Sequence, residues 1–193
     1  MIPIHKIIGR LSNQMFQFAA LYTWTQDKDL PFFVQDEKYF KKYEKQIKQM
    51  FSEGIVPNSI DMVAIHRRLT DYVGNPYYID LGHHQHADIN DNYYMRAMAE
   101  FPPDTKFLVF SDDVETAKQE PMFQGEQFHF PNGTEIEDMN MMASCKGIIG
   151  ANSSFAWWGA YLSGAEKIIF PKQWFADINN EKFIGVLPEW KRL

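Results

Sequence analysis

Short apolar segments recur at a regular interval in the second half of this 193-residue chain. Four of them begin at residues 107, 127, 148 and 168, so that each start lies 20 or 21 residues after the previous one. Helix-like segments fill the intervals, and this spacing is typical of tight βα units whose strands form a parallel sheet. A similar apolar strand at residues 62–65 precedes them. The pattern therefore predicts an α/β fold, in which ligands bind beyond the carboxyl ends of the strands.

Polar side chains directly follow three of these predicted strands. The three groups are His66-Arg67-Arg68, Ser111-Asp112-Asp113 and Asn152-Ser153-Ser154. Because the carboxyl ends of parallel strands meet at one edge of the sheet, we expect these groups to share one crevice. Guanidinium groups bind phosphate through paired hydrogen bonds, and hydroxyl groups at a helix start bind anions. Together the three groups predict a site for a phosphorylated ligand.

Each group also has a purely structural interpretation. One of the two adjacent arginines can reach into the crevice while the other pairs with an acid, or the segment is a structural Arg–Asp contact. Asp112 and Asp113 resemble a metal-binding pair, but the simpler interpretation is that they cap the next helix. Asp138, which begins a predicted helix, is either its cap or the carboxylate that accepts from the N1–H and N2–H of guanine. Trp157 and Trp158 are predicted to pack in the core.

The first third of the chain predicts helices beside short strands. Residues 4–8 and 30–34 have the pattern of strands, and Ser12 is predicted to cap a helix that follows it. Residues 40–50 place four lysines around an apolar stripe. That arrangement is typical of an amphipathic surface helix, with a patch for a polyanion as the alternative interpretation.

Composition narrows the classes of function. The formal net charge of −6 argues against a general surface for nucleic acid. A single cysteine, Cys145, and an N-terminus without a signal-peptide core favour a cytoplasmic location, and this cysteine is predicted to be buried packing. Residues 147–165 carry no formal charge, but their glycines and polar residues favour a strand–turn–helix unit over a membrane span. His83, His84 and His86 lie in a polar loop, and we predict solvated side chains there and no metal site.

Four segments, in the same order as in the family, resemble motifs of the α-1,2-fucosyltransferases, glycosyltransferase family 11. Residues 9–19, GRLSNQMFQFA, are similar to the N-terminal GGLGNQMFQYA-like block of that family. Residues 63–72 are similar to its HxRRxD block, and residues 109–113 to its FSDD block. The longest and most specific likeness runs over residues 138–160. The same segments look like those of the wider group that includes α-1,6- and protein O-fucosyltransferases.

The resemblance implies an inverting, metal-independent glycosyltransferase of the hexosyltransferase class. It would move L-fucose from GDP-fucose to a glycan hydroxyl, forming an α-1,2 linkage, with no cofactor besides the donor substrate. The implied fold is GT-B-like, with an abbreviated N-terminal, acceptor-side lobe at residues 1–61 and a Rossmann-type donor domain at residues 62–193. Such an enzyme would have no transmembrane segment and would act in the cytoplasm or at the membrane periphery.

The resemblance also assigns roles to residues by position. The implied donor-binding residues are Gly9, Asn13, Gln14, His66, Arg68, Asp112, Asp138, Ser153 and Ser154. In this set the histidine and the arginine hold the diphosphate, the two serines meet the phosphates, and Asp138 accepts from guanine. The three N-terminal residues close over the nucleotide from the other lobe. The catalytic candidates are Arg68 and Asp71, the latter either as the base or as the group that orients Arg68.

Two departures from the family pattern shape the expected function. Leu69 stands where the motif has its second arginine, with Arg67 one position early, and Ser12 replaces a usual glycine. The chain is also shorter than the usual member between Gln14 and His66. We therefore expect a compact variant whose acceptor groove is open or is completed by a second subunit. Leu69 and the shortened lobe leave a second hypothesis, a GDP-sugar-binding remnant without catalytic activity. A third hypothesis, a phosphoryl-transfer enzyme, is disfavoured because the sequence has no GxxxxGK[ST] loop.

Overall fold

One parallel β-sheet forms the centre of the computed structural model, which describes residues 10–27, 36–70, 91–174 and 186–193. The six strands are β1 (Ile60–Arg67), β2 (Phe107–Ser111), β3 (Phe128–His129), β4 (Cys145–Ile149), β5 (Lys167–Phe170) and β6 (Lys191–Arg192). All pairings are parallel, and the order across the sheet is β3-β2-β1-β4-β5-β6. The predicted α/β fold with a Rossmann-type sheet is confirmed. The GT-B arrangement and the division into residues 1–61 and 62–193 stay predictions.

Helices cover both faces of this sheet. The described α-helices are α1 (Leu11–Asp27), α2 (Glu44–Phe51), α3 (Asp91–Met98), α4 (Val114–Gln119), α5 (Glu135–Ala143) and α6 (Ser154–Leu162). The described residues also include three short 3₁₀ helices, at Glu37–Tyr39, Lys41–Tyr43 and Pro121–Phe123. Helix α2 buries Ile47 and leaves Lys45 at the surface, as the amphipathic pattern predicts.

The two faces of the sheet carry separate apolar clusters, because successive strand residues point to opposite sides. Ala64 of β1 belongs to the larger cluster, which includes side chains of α1, α2, α5 and α6. Val63 and Ile65 belong to the other cluster, which includes side chains of α3. Trp157 and Trp158 of α6 are completely buried in the larger cluster, so their predicted core role is confirmed. The buried Cys145 lies in the same cluster.

Two predicted helix caps are wrong. Helix α1 begins at Leu11, so Ser12 lies inside its first turn and its hydroxyl is used elsewhere. Helix α5 begins at Glu135, ahead of Asp138, and its cap is Thr134. The Thr134 side chain accepts from the backbone N–H of Glu137, whose carboxylate accepts in return from the Thr134 backbone, forming a capping box. The Thr-x-x-Glu spacing in the sequence is the signal that indicates this start.

Strand β4 also begins earlier than the apolar pattern predicts. The pattern starts a strand at residue 148, whereas β4 starts at Cys145, which pairs with Ile60 of β1. The backbone N–H of Ile60 donates to the carbonyl of Ser144 over 3.1 Å, which continues the pairing beyond the apolar run. This extension depends on a tertiary contact that local hydrophobicity does not report.

The uncharged segment at residues 147–165 is a strand end, a turn and helix α6, as predicted. Among the described helices, none combines the length and the apolar content that crossing a bilayer requires. The strands predicted at residues 4–8 and 30–34 lie outside the described residues.

The order of the strands creates a switch point between β1 and β4. From β1 the chain continues outward through β2 to β3, whereas from β4 it continues outward on the other side through β5 to β6. Ile65 of β1 is paired with Ile149 of β4, so the segments that follow these two strands leave the sheet side by side. In sheets of this type the ligand-binding crevice lies at that position. The sheet therefore places residues 66–70 beside residues 152–154.

Candidate active site

The first turn of α1 meets the first turn of α6 at this crevice. The Ser12 and Ser154 hydroxyl oxygens lie 2.9 Å apart, and Ser154 Oγ donates to Asn13 Oδ1 over 2.8 Å. Ser153 is the cap of α6 and accepts from the backbone N–H of Phe155. The structure thus brings together residues that lie about 140 positions apart in the sequence and that were assigned to the same site. Gln14 is exposed in the same turn of α1.

The carboxylate of Asp112 connects the end of β2 with the segment after β1 and with the residue before α1. Its Oδ1 accepts from the backbone N–H of Leu69 over 2.8 Å, and its Oδ2 accepts from the backbone N–H and the hydroxyl of Thr70. Arg68 Nε lies 3.3 Å from Oδ2, and Arg10 NH1 lies 3.7 Å from the same atom. Burial alone would raise the pKa of Asp112, but the hydrogen bonds from Thr70 and Leu69 and the charge of Arg68 outweigh burial and lower it.

The two adjacent aspartates have different roles. Asp113 is the cap of α4, where its Oδ1 accepts from the backbone N–H of Thr116 over 3.0 Å. The capping interpretation is therefore confirmed for Asp113 and wrong for Asp112, whose carboxylate connects the end of β2 with the segment after β1. A donor contact by Asp112 stays a prediction.

The two adjacent arginines contact different acids, and the contact between Arg68 and Asp112 is the Arg–Asp pair of the structural interpretation. Binding of a phosphate by Arg68 stays a prediction. Arg67 forms an ion pair with Glu120, with its NH2 2.5 Å from Oε1 and its Nε 3.0 Å from Oε2, and it packs over the Tyr94 ring. Arg68 instead forms an ion pair with the carboxylate of Asp112. Both side chains are largely buried, so each guanidinium is held in a defined position.

His66 presents an unsatisfied nitrogen at the end of β1. Its side chain is 4% exposed, its ring lies 5.5 Å from the Phe155 ring, and its Nδ1 has no hydrogen-bond partner among the residues that the structure describes. Burial, with a smaller contribution from the charge of Arg68, lowers the pKa of His66 to about 3. The imidazole is therefore neutral at physiological pH. A buried polar atom without a partner is costly, and a ligand with a polar group at this point would satisfy it.

We expect the buried His66 to make the protein less stable as the pH falls. Its pKa in the fold is about 3 against 6.5 for the free side chain, so the unfolded chain takes up the proton first. The stability contributed by the neutral form is complete above pH 6.5 and is lost towards pH 3, at about 1.4 kcal/mol per pH unit. Urea titrations between about pH 7 and pH 5 should show a smaller pH dependence for His66→Gln than for the unmodified protein. Identical pH dependence in the two proteins would contradict this assignment.

Asp138 lies in the first turn of α5, which follows the edge strand β3. Its Oδ1 accepts from the backbone N–H of Gly133 over 3.2 Å. Burial raises the pKa of this carboxyl above its usual value, which the hydrogen bond from Gly133 opposes. A half-buried carboxylate with spare acceptor capacity fits the guanine contact that the sequence resemblance implies, and that contact stays a prediction.

Several predicted residues lie outside the described part of the chain. They are Gly9, Asp71, His83, His84 and His86. Within the described residues, no group of three or more His, Cys, Asp or Glu side chains is arranged to hold a metal ion. The independence from metal stays a prediction.

Sequence reasoning assigned no role in the site to Arg10, Thr70 or Glu120. Arg10 lies inside the N-terminal motif and Thr70 inside the motif that follows β1, so their positions in those motifs were available signals. Glu120 follows α4 and has no local signal, because its role depends on the packing of α4 beside the end of β1.

The chain belongs to glycosyltransferase family 11, because the sequence profile described as Glycosyl transferase family 11 matches residues 21–193. It is 30% identical over 176 residues to the O-antigen biosynthesis glycosyltransferase WbnK of Escherichia coli, covering 86% of this chain and 56% of that protein. It is 29% identical over 180 residues to the alpha-1,2-colitosyltransferase of Escherichia coli, covering 83% of this chain and 61% of that protein. The family that the motifs indicated is thus confirmed.

The chain spans about three fifths of the length of these two relatives. No solved structure gives a significant match to it.

Proposed function

We propose that this protein transfers L-fucose from GDP-fucose to a hydroxyl group of a glycan, with inversion at the anomeric carbon. The observation that carries the proposal is the cluster at the switch point. There, the first turn of α1 meets the capped start of α6, and the guanidinium groups of Arg68, just after β1, and of Arg10, just before α1, converge on Asp112. The start of a helix, together with a guanidinium held in place by a carboxylate, is suited to a diphosphate.

In the proposed reaction, the acceptor hydroxyl attacks the anomeric carbon from the face opposite the diphosphate. The bond from that carbon to the diphosphate oxygen breaks, and negative charge develops on the departing GDP. Arg68 stabilises this charge, and the neutral imidazole of His66 donates or accepts one hydrogen bond at the same end of β1. A base takes the proton of the acceptor, and Asp71 is the candidate that the motif supplies.

Colitose is a second candidate for the sugar that is transferred. One relative is named as an alpha-1,2-colitosyltransferase, and it aligns over 83% of this chain. In this proposal, Arg68 and the start of α6 bind the diphosphate and do not contact the sugar. Both GDP-fucose and GDP-colitose are therefore compatible with them. A GDP-sugar-binding protein without transfer activity is the third possibility, and it differs in giving neither transfer nor hydrolysis.

One assay separates these candidates. We expect transfer from GDP-fucose to a member of a panel of glycan acceptors, in the presence of EDTA, with an α-1,2 linkage in the product. The parallel reaction with GDP-colitose identifies the sugar, and GDP release without acceptor measures hydrolysis. Transfer that appears only after Mn²⁺ or Mg²⁺ is added would contradict the metal-free mechanism. GDP binding without transfer or hydrolysis would favour the non-catalytic alternative.

We expect Asp138→Ala to lose selectivity for guanine. If the carboxylate accepts from N1–H and N2–H, its removal leaves those donors unpaired and costs about 1–3 kcal/mol of binding free energy, which is about 5- to 150-fold in affinity. The GDP-to-ADP affinity ratio, measured by calorimetry, should fall by that factor. Asp138→Asn should show a similar loss while keeping an acceptor for Gly133.

Glu135→Ala is the matched control, since Glu135 is an exposed acid in the same turn of α5. Its GDP-to-ADP ratio should equal that of the unmodified protein. An unchanged ratio in folded Asp138→Ala would restrict Asp138 to its contact with the backbone of Gly133.

A further inference from the structure

The diphosphate of a sugar nucleotide carries two negative charges, and a third develops as the sugar departs. Arg68 supplies one fixed positive charge at the crevice. Leu69, the next residue, is 8% exposed and has no charge to offer. Its backbone N–H donates a hydrogen bond to Asp112. The charge balance of the proposed donor therefore calls for a second cation near Arg68.

Arg67 does not fill this role. Its guanidinium is held by both carboxylate oxygens of Glu120 and lies over the Tyr94 ring, 5.2 Å from the ring centre. The Tyr94 side chain belongs to the apolar cluster on the other face of the sheet from α1 and α6. Moving Arg67 into the crevice would leave the largely buried Glu120 without its ion pair.

Arg10 is placed where the second cation is needed. It precedes α1, and its NH1 lies 3.7 Å from Asp112 Oδ2, the same oxygen atom that Arg68 Nε approaches within 3.3 Å. Two guanidinium groups from distant parts of the chain therefore converge on one carboxylate. The Arg10 side chain is 50% exposed, whereas that of Arg68 is 15% exposed, so Arg10 can reorient at low cost when an anion enters.

We propose that Arg10 is a second diphosphate-binding cation of this protein, acting together with Arg68; the proposal rests on the sugar-nucleotide donor proposed above. Without ligand, the single negative charge of the Asp112 carboxylate faces two guanidinium groups, so one positive charge is left over for an anion. When the diphosphate binds, Arg10 moves from Asp112 to phosphate oxygens. Asp112 keeps its hydrogen bonds from Leu69 and Thr70, so no buried carboxylate is left without partners.

The proposal is tested by titrating GDP, UDP and inorganic pyrophosphate into the protein by calorimetry at fixed ionic strength. We expect Arg10→Ala to weaken the binding of the preferred diphosphate by about 10- to 100-fold, since a charge-assisted contact to phosphate is lost. Arg10→Lys should give an intermediate loss, because it keeps the charge without the forked geometry. The matched control is Arg96→Ala, which removes an exposed arginine of α3, the helix on the other face of the sheet. Its affinity should stay within about twofold.

The outcomes distinguish this proposal from the proposed function. Equal affinities of Arg10→Ala and Arg96→Ala, with unchanged thermal unfolding, would overturn the role of Arg10. Preference for UDP over GDP would overturn the GDP donor, whereas a loss of UDP affinity in Arg10→Ala would still support the role of Arg10. An unmodified protein that binds none of the three diphosphate probes would overturn both.

Discussion

Arg68→Ala is expected to reduce the rate of sugar transfer by about 10²–10³ at saturating donor, the range found when one charge-stabilising group is removed from a transition state. The side chain lies just beyond β1, at the switch point, and is held by Asp112 in a largely buried position. In the proposed reaction, its charge would matter most as negative charge develops on the leaving diphosphate. Turnover should therefore fall more than donor affinity, and initial rates over a range of donor concentrations separate the two effects.

Arg67→Ala is the comparison for this prediction, because the neighbouring arginine is held by Glu120 outside the crevice. Its turnover per folded molecule should be much closer to that of the unmodified protein. Its stability should fall, since Glu120 would lose its partner in a largely buried position. A greater loss of turnover in Arg67→Ala than in Arg68→Ala would show that the motif is aligned one position wrongly.

Trp157→Ala is expected to produce the largest loss of stability, about 3–5 kcal/mol. The Trp157 ring is completely buried and stacks on Tyr161 with ring centres 4.7 Å apart. Its ring centre also lies 4.8 Å from that of Phe16 in α1 and 5.7 Å from that of Trp190. Its removal leaves a cavity where three separate parts of the chain meet. A loss of this size is a large fraction of the stability of an ordinary domain.

Urea unfolding monitored by circular dichroism measures this loss. Trp157→Phe keeps an aromatic ring at the centre of the cluster and should lose clearly less stability than Trp157→Ala. Met95→Ala changes a side chain of α3 that is 59% exposed, and it should remain within about 0.5 kcal/mol of the unmodified protein. A loss below about 1 kcal/mol in Trp157→Ala would contradict the central position of this residue in the core.

Much of the sheet was predictable, because strands buried on both faces appear as short apolar runs. Residues 107–110 fall inside β2, and residues 168–170 fall inside β5. The strand at residues 127–130 is shorter than predicted, since β3 pairs only Phe128 and His129 with β2. The start of β4 was misplaced because pairing of Cys145 with β1 extends it beyond the apolar run. Local hydrophobicity thus located the strands, whereas the residues at which they begin and end depend on tertiary contacts.

The segments that form the candidate site were predictable from the sequence, but the side-chain contacts between them were not. The sequence indicated that the segments after β1 and β4 would meet, and the hydrogen bonds around Ser154 agree with the grouping of Asn13 with it. The sequence did not indicate that Asp112 joins Arg10 to Arg68, because this arrangement depends on side-chain directions across three segments. Aspartate after a strand is usually a helix cap, and that local rule holds for Asp113 but not for Asp112.

The pairing of β1 with β4 also determines when during folding the crevice can form. Val63 and Gly147 are paired in the sheet although they lie 84 positions apart in the sequence. Such a long-range parallel pairing closes a large loop, so it forms slowly and late compared with local helices. Partially folded molecules therefore lack the crevice, and we expect a nucleotide that binds there to stabilise only the completed fold. During refolding, recovery of nucleotide binding should follow the slowest change in tryptophan fluorescence and should not accompany the early gain of helix.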